Sequence, residues 1–228
     1  MQKFIVAAIV SIAISGSAFA APFTITSSVG GAPSGVYTDN LNWLPVGSAG
    51  GSQSGVTVTF QPDAGVVTGG VSGLYAPPYV SNGNGAVFGD ADGVDASRYI
   101  TSGSTGGNNA GAGATIAFAT GQKYFGLLWG SVDAHNSLAF YNGATLIGNV
   151  TGSDVAAVAN GDQGQNGTYY VNIASTLSFD RVVATSAGYA FEFDNISYNP
   201  TAPGVPEPTS VALLGVALVG IARRMRRR

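Results

Sequence analysis

Between residues 23 and 196 the chain repeatedly alternates apolar with polar side chains over short runs, then breaks into Gly, Asn, Ser, Asp or Pro. Alternation with period two sends successive side chains to opposite faces, which is the signature of a strand with one buried face and not of a helix. On this criterion strands are predicted over 23–28, 56–60 (VTVTF), 115–119 (TIAFA), 124–129 (YFGLLW), 137–141 (SLAFY), 169–173 (YYVNI), 181–186 (RVVATS) and 189–196 (YAFEFDNI), with 145–147 a weaker ninth. The Asn142-Gly143 pair between SLAFY and ATLIG predicts a type I′ hairpin. Helix formers are scarce, and no amphipathic helix of 10–15 residues separates the strands. The expected fold is therefore all-β, an antiparallel β-sandwich of jelly-roll-like form, since a parallel α/β sheet would need those helices. The Gly-, Ser- and Asn-rich stretches 46–55, 81–85 and 102–113 read as long loops of one domain. The absence of a 20–50-residue repeat disfavours propellers and β-helices.

The two ends do not follow this pattern. Lys3, the apolar run 4–14 and the sequence Ala18-Phe19-Ala20 read as a signal peptide over 1–20, with cleavage after Ala20. At the other end a Pro-rich stretch, 201–208, reads as a stiff linker, and residues 209–222 are apolar without a polar face. As a helix that run is roughly 21 Å long, short of a ~30 Å hydrocarbon core. Its Gly215 and Gly220 suit a membrane helix better than a soluble one, and Arg223, Arg224, Arg226, Arg227 and Arg228 form a cytoplasmic stop-transfer cluster whose long side chains extend the span.

In order, the Pro206-Glu207-Pro208 triplet, the small-residue apolar helix and the terminal arginines resemble the PEP-CTERM sorting signal of bacterial exosortase substrates. The resemblance implies an exosortase-type processing enzyme as partner, a transient inner-membrane anchor at 209–228, and delivery to the cell surface or the extracellular space. The expected layout is a signal peptide (1–20), a β-sandwich surface domain (21–200), a linker carrying the triplet (201–208) and a transmembrane sorting helix with its Arg tail (209–228). The segment 124–143, followed by GTYYVNI and YAFEFDNISY, resembles a recurrent group of exosortase-dependent surface proteins. The closing FDNISY is similar to the last strand of lectin-like and carbohydrate-binding jelly rolls.

Composition narrows the function classes. Between residues 21 and 200 only Arg98, Lys123 and Arg181 are basic, against eleven acidic residues, a formal charge of −8 that the terminal arginines hide in the whole-chain value of −3. Such a surface repels nucleic acid. The chain has no cysteine, which removes thiol nucleophiles, thiolate metal sites and disulfide staples.

The residues able to carry chemistry are few. His135, the single histidine, lies between Asp133 and Ser137 at alternate positions, yet a triad needs convergence from separate segments and the chain has no G-x-S-x-G elbow. Glu192 and Asp194 would share the face of a strand opposite Phe191 and Phe193, about 6.6 Å apart. Some β-sandwich glycoside hydrolases use E-x-D-x-x-E, but Ser197 stands where the third acid would be, so no catalytic residue is assigned. Asp90, Asp92 and Asp95, in GDADGVDAS, form a hard-oxygen cluster able to hold a structural Ca²⁺, with Asp39 or Asp194 as distant ligands; an Asx-turn cluster is the other reading. No cofactor is otherwise required. Tyr75 and Tyr79, flanking Pro77-Pro78, are the expected glycan contacts among Trp43, Tyr75, Tyr79, Tyr99 and Trp129, with Trp129 expected in the core. The sequence thus predicts a non-enzymatic surface or matrix protein, with extracellular polysaccharide as a candidate partner. A secreted glycan hydrolase is the alternative.

Overall fold

The structure is a computed structural model that describes residues 22–47, 49–103 and 113–203. Its strands are β1 (Phe23–Ser28), β2 (Tyr37–Asp39), β3 (Gly50–Gln53), β4 (Val56–Phe60), β5 (Ala64–Val67), β6 (Tyr79–Val80), β7 (Gly93–Val94), β8 (Tyr99–Ser102), β9 (Gly113–Gly130), β10 (Asn136–Asn142), β11 (Thr145–Thr151), β12 (Tyr169–Ser186) and β13 (Phe191–Asn199). Helix among the described residues amounts to a 3₁₀ turn, Ala86–Phe88, and one α-helical turn, α1 (Gly152–Val155). All pairings are antiparallel.

The architecture follows from two 18-residue strands, β9 and β12, which pair with each other along their lengths. Near Ala119–Lys123 of β9 and Ser175–Asp180 of β12 the register shifts, and each strand changes its outer neighbour there. The first half of β9 takes β4 and the second half takes β13; the first half of β12 takes β1 and the second takes β10. Bulges bend a sheet, and here they fold one continuous sheet over into two facing layers. One layer runs β3-β4-β9-β12-β10-β11 and the other β1-β12-β9-β13-β8-β5, with β2 also on β13. The predicted sandwich is the observed fold. The strands read separately as 115–119 and 124–129, and as 169–173 and 181–186, are the halves of these two long strands. The Gly- and Ser-rich stretch 46–55 is not wholly loop, because it contains β3.

The layers close on aromatic rings. Phe140 from one layer meets Phe23 at 4.7 Å and Phe125 at 6.1 Å from the other, and Phe179, at the bend, at 5.0 Å. Trp129 stacks on Phe191 at 4.4 Å within the same core, so the expectation for Trp129 holds. The β10–β11 hairpin forms, but its two-residue loop is Gly143-Ala144, because Asn142 still pairs with Thr145. Gly143 has φ +55°, and a glycine at the first loop position fits a type II′ turn. Asp180 accepts from the Gly143 N–H and Arg181 donates to its carbonyl, so the neighbouring strand fixes the turn.

The outer face of the second layer is covered as well. Leu128 and Tyr170 pack under Ala32, from the loop after β1, and Val80 of β6. Beside them the Ser197 hydroxyl bonds the Tyr124 and Tyr170 hydroxyls at 3.0 and 2.7 Å. Gly126 lies beneath, where a Cβ would stand 2.5 Å from the Tyr124 oxygen.

Candidate functional site

Strand β13 organises the polar chemistry. Its alternation sends Phe191 and Phe193 into the core and Glu192 and Asp194 to the opposite face, as the sequence predicts. That face is not solvated. Loops from residues 73–78 and 94–98 lie over it, leaving Glu192 2 % and Asp194 0 % exposed.

Glu192 holds one of these loops down. One carboxylate oxygen accepts from the Ala76 N–H at 3.0 Å and the other from the Ser131 hydroxyl. Burial pushes its pKa from 4.5 up to about 7, against the opposing pull of those two donors. The residue lies at the floor of a cleft of about 160 Å³ lined by Tyr75, Ser131, Asp133, Gln163, Tyr189 and Glu192, among others. Sequence reasoning missed Ser131, Gln163 and Tyr189. Tyr189 sits just before β13 and is 44 % exposed, and no residue pattern separates it from a turn tyrosine.

Asp133 reaches the same cleft. Burial raises its carboxyl above the usual range, with His135 opposing, and the His135 Nε2 lies 3.8 Å from its Oδ2. Among the described residues no lysine or arginine forms an ion pair with a carboxylate. Ser137 stands on β10 opposite Thr151 and Thr185, and no hydrogen bond joins it to His135 among the described residues.

The three aspartates of the 90–95 loop divide. Asp92 is exposed and accepts from the Gly83 N–H at 3.0 Å, away from the others. Asp95 is 3 % exposed, and its Oδ1 accepts from the Ser97 N–H at 2.7 Å. Asp90 accepts from the Asn195 amide at 2.6 Å. Asp39 is engaged elsewhere, bonding Trp43 Nε1 and the Leu41 N–H. Among the described residues no group of three or more His, Cys, Asp or Glu is placed to hold a metal ion, which revises the expected Asp90, Asp92 and Asp95 set.

The aromatic candidates also separate. Tyr75 is half-buried at the cleft, its ring 6.4 Å from that of Tyr99. Tyr79 belongs to β6, its N–H bonded to Thr168, and it does not line that cleft. Tyr99 is 1 % exposed and donates to the Gly69 carbonyl, so it is structural.

The described residues thus define an all-β sandwich with polar groups gathered under loops at one end of its second layer. Beyond them, the model of the PEP-CTERM protein-sorting motif matches residues 204–228, so the chain is an exported protein bearing the signal through which exosortase, a membrane enzyme, sorts its substrates. No curated protein and no solved structure matches the chain. The motif residues Pro206, Glu207, Pro208, Arg223 and Arg224, the predicted sorting helix, and the cleavage residues Ala18 and Ala20 lie outside the described residues. Among the described residues no helix is long and apolar enough to cross a membrane.

Proposed function

We propose that this protein is a non-enzymatic module of the cell surface or extracellular matrix that binds neutral polysaccharide at the Tyr75–Tyr189 cleft. The observation that carries the reading is the state of Glu192. At 2 % exposure, with both carboxylate oxygens engaged by Ala76 and Ser131, it fastens a loop and presents no free oxygen to a substrate. The cleft it supports joins polar groups to two tyrosines, and a tyrosine face packs on the CH groups of a sugar at low entropic cost. The −8 charge between residues 21 and 200 disfavours uronic or sulfated chains and leaves neutral glycans. Tyr79, which lies off the cleft, leaves the contact set, and Tyr189 replaces it.

A glycan hydrolase is the second reading, favoured by one observation: Glu192, with a pKa near 7, and Asp133 line the same cleft. An acid and a second carboxylate are the minimum for glycoside cleavage. Affinity electrophoresis of the exported protein through neutral and acidic polysaccharides, run beside a reducing-sugar assay, separates the two. Binding requires retardation that is lost in Tyr75→Ala and Tyr189→Ala and kept in Tyr79→Ala. Sugar release by wild type that Glu192→Gln abolishes would establish the hydrolase instead.

A further inference from the structure

Three side-chain oxygens around the β13 bulge have no hydrogen-bond partner: Oδ2 of Asp95, Oδ1 of Asp194 and Oδ1 of Asn195. Their residues are 3 %, 0 % and 0 % exposed. Buried polar atoms in a native fold are almost always paired, and a buried carboxylate without a counter-charge is among the most costly arrangements a protein can hold. Three in one neighbourhood call for a common explanation.

Local structure brings them together. The register of β13 shifts between Asp194 and Ser197, and Asn195 takes φ +54°. The extra residue of a bulge interrupts the alternation, so Asp194 and Asn195, adjacent in sequence, both engage the 90–97 loop. In each case one atom is held and the other left. Ser97 donates its N–H to Asp95 Oδ1 at 2.7 Å and its hydroxyl to Asp194 Oδ2 at 3.2 Å, leaving the second oxygen of each carboxylate. The Asn195 amide nitrogen donates to Asp90 at 2.6 Å, which turns its carbonyl oxygen away from Asp90. Asp90, Asp95 and Asp194 repel one another electrostatically, the Asp95 and Asp194 carboxyls lie within hydrogen-bonding reach of each other, and no lysine or arginine pairs with them among the described residues. Arg98, next in the chain, donates instead to the carbonyls of Asn42 and Leu44.

We propose that Asp95 Oδ2, Asp194 Oδ1 and Asn195 Oδ1 are ligands of a Ca²⁺ ion that clamps the 90–97 loop to the bulge of β13. The donors are hard oxygens of mixed type, two carboxylates and an amide carbonyl, which suit calcium; backbone carbonyls and water complete its six to eight positions in such sites. Two carboxylates balance the dication. Asp90 orients Asn195 from outside the ligand set, as partners of metal ligands do. Asp92 takes no part, since its carboxylate caps the Gly83 N–H. The same cluster could otherwise hold a proton shared between Asp95 and Asp194, and the experiment distinguishes the two occupants.

The probe is calcium chloride alone, titrated by calorimetry into the purified exported protein after EDTA treatment, with thermal melts in EDTA and in millimolar calcium. The proposal expects one Ca²⁺ per chain and a melting midpoint several degrees higher with calcium, as mass action requires of an ion bound only by the native state. Asp194→Asn and Asp95→Asn should weaken binding at least tenfold, and Asp92→Asn should bind as wild type. Wild-type protein that shows neither binding heat nor a calcium-dependent melt overturns the proposal without any variant. Asp194→Asn that melts higher than wild type in both buffers also overturns it and assigns the shared proton.

Discussion

Replacing Glu192 separates a loop anchor from an incidental buried acid. Glu192→Ala removes the acceptors of two inward-facing donors, the Ala76 N–H and the Ser131 hydroxyl. A buried donor left without a partner costs about 1–3 kcal/mol. The cleft is polar and admits water, so the low end applies, about 1 kcal/mol for each donor. Losing the one buried methylene, Cγ, adds roughly 0.8 kcal/mol. The total is about 3 kcal/mol, and at roughly 2–4 °C per kcal/mol for a domain of this size the midpoint should fall by about 6–12 °C. Glu192→Gln is nearly isosteric. Its carbonyl can accept from Ala76, its amide can donate to the Ser131 oxygen once that hydroxyl rotates, and stability should stay within about 1 kcal/mol of wild type. Scanning calorimetry gives both numbers, and limited proteolysis should show new cleavage within 73–78 in the alanine variant only. An alanine variant that melts as wild type refutes the anchor. A glutamine variant as damaged as the alanine one would mean that the charge, and not the hydrogen bonding, holds the loop.

Three further perturbations test other parts of the structure. Phe140→Ala, which removes a fully buried ring touching Phe23, Phe125 and Phe179, should cost about 3–5 kcal/mol in chemical denaturation, and a loss under 1 kcal/mol would contradict the packing between the layers. Gly126→Ala should cost about 1–3 kcal/mol, because the new Cβ would crowd the Tyr124 and Ser197 oxygens; an unchanged urea midpoint would show that this hydroxyl cluster yields easily. For the sorting motif, intact-mass analysis of surface material should find a chain that begins at Ala21 and lacks Arg223–Arg228, and Glu207→Ala should leave precursor in the membrane; surface protein retaining all five arginines would contradict processing at the motif.

Where alternation is clean and the strand pairs locally, the sequence is a good guide: VTVTF is β4 and FTITSS is β1, residue for residue. It misleads at the two long strands for a definite reason. A bulge and a turn draw on the same residues, Gly and small polar side chains, so Thr120-Gly121-Gln122 reads as the end of a strand although β9 runs through it. Only the pairing with β12 across the sequence distinguishes them. The short strands β2, β3, β5, β6, β7 and β8 span two to four residues each, too few to display a period, and exist because a neighbouring edge supplies their hydrogen bonds.

The same distinction governs the polar end of β13. That Glu192 and Asp194 share a face is a local fact and follows from YAFEFDN. Whether the face meets water is not local, because its covering comes from residues 76 and 97, about a hundred positions earlier in the chain. Covering changes the chemistry. In water, two carboxylates on one strand would be ordinary solvated charges. Under the loops one becomes the acceptor that holds Ala76 and Ser131, while the other meets Asp95 in a buried pair of carboxyls that no basic side chain balances among the described residues. The positive φ at Asn195 then has a physical reason, since a regular strand would return residue 195 to the core side, where its amide could not meet Asp90. Shifting that bulge by one residue would bury Asn195 among phenylalanines and bring Ile196 outward, so the polar cluster and the hydrophobic core fix the register of β13 together.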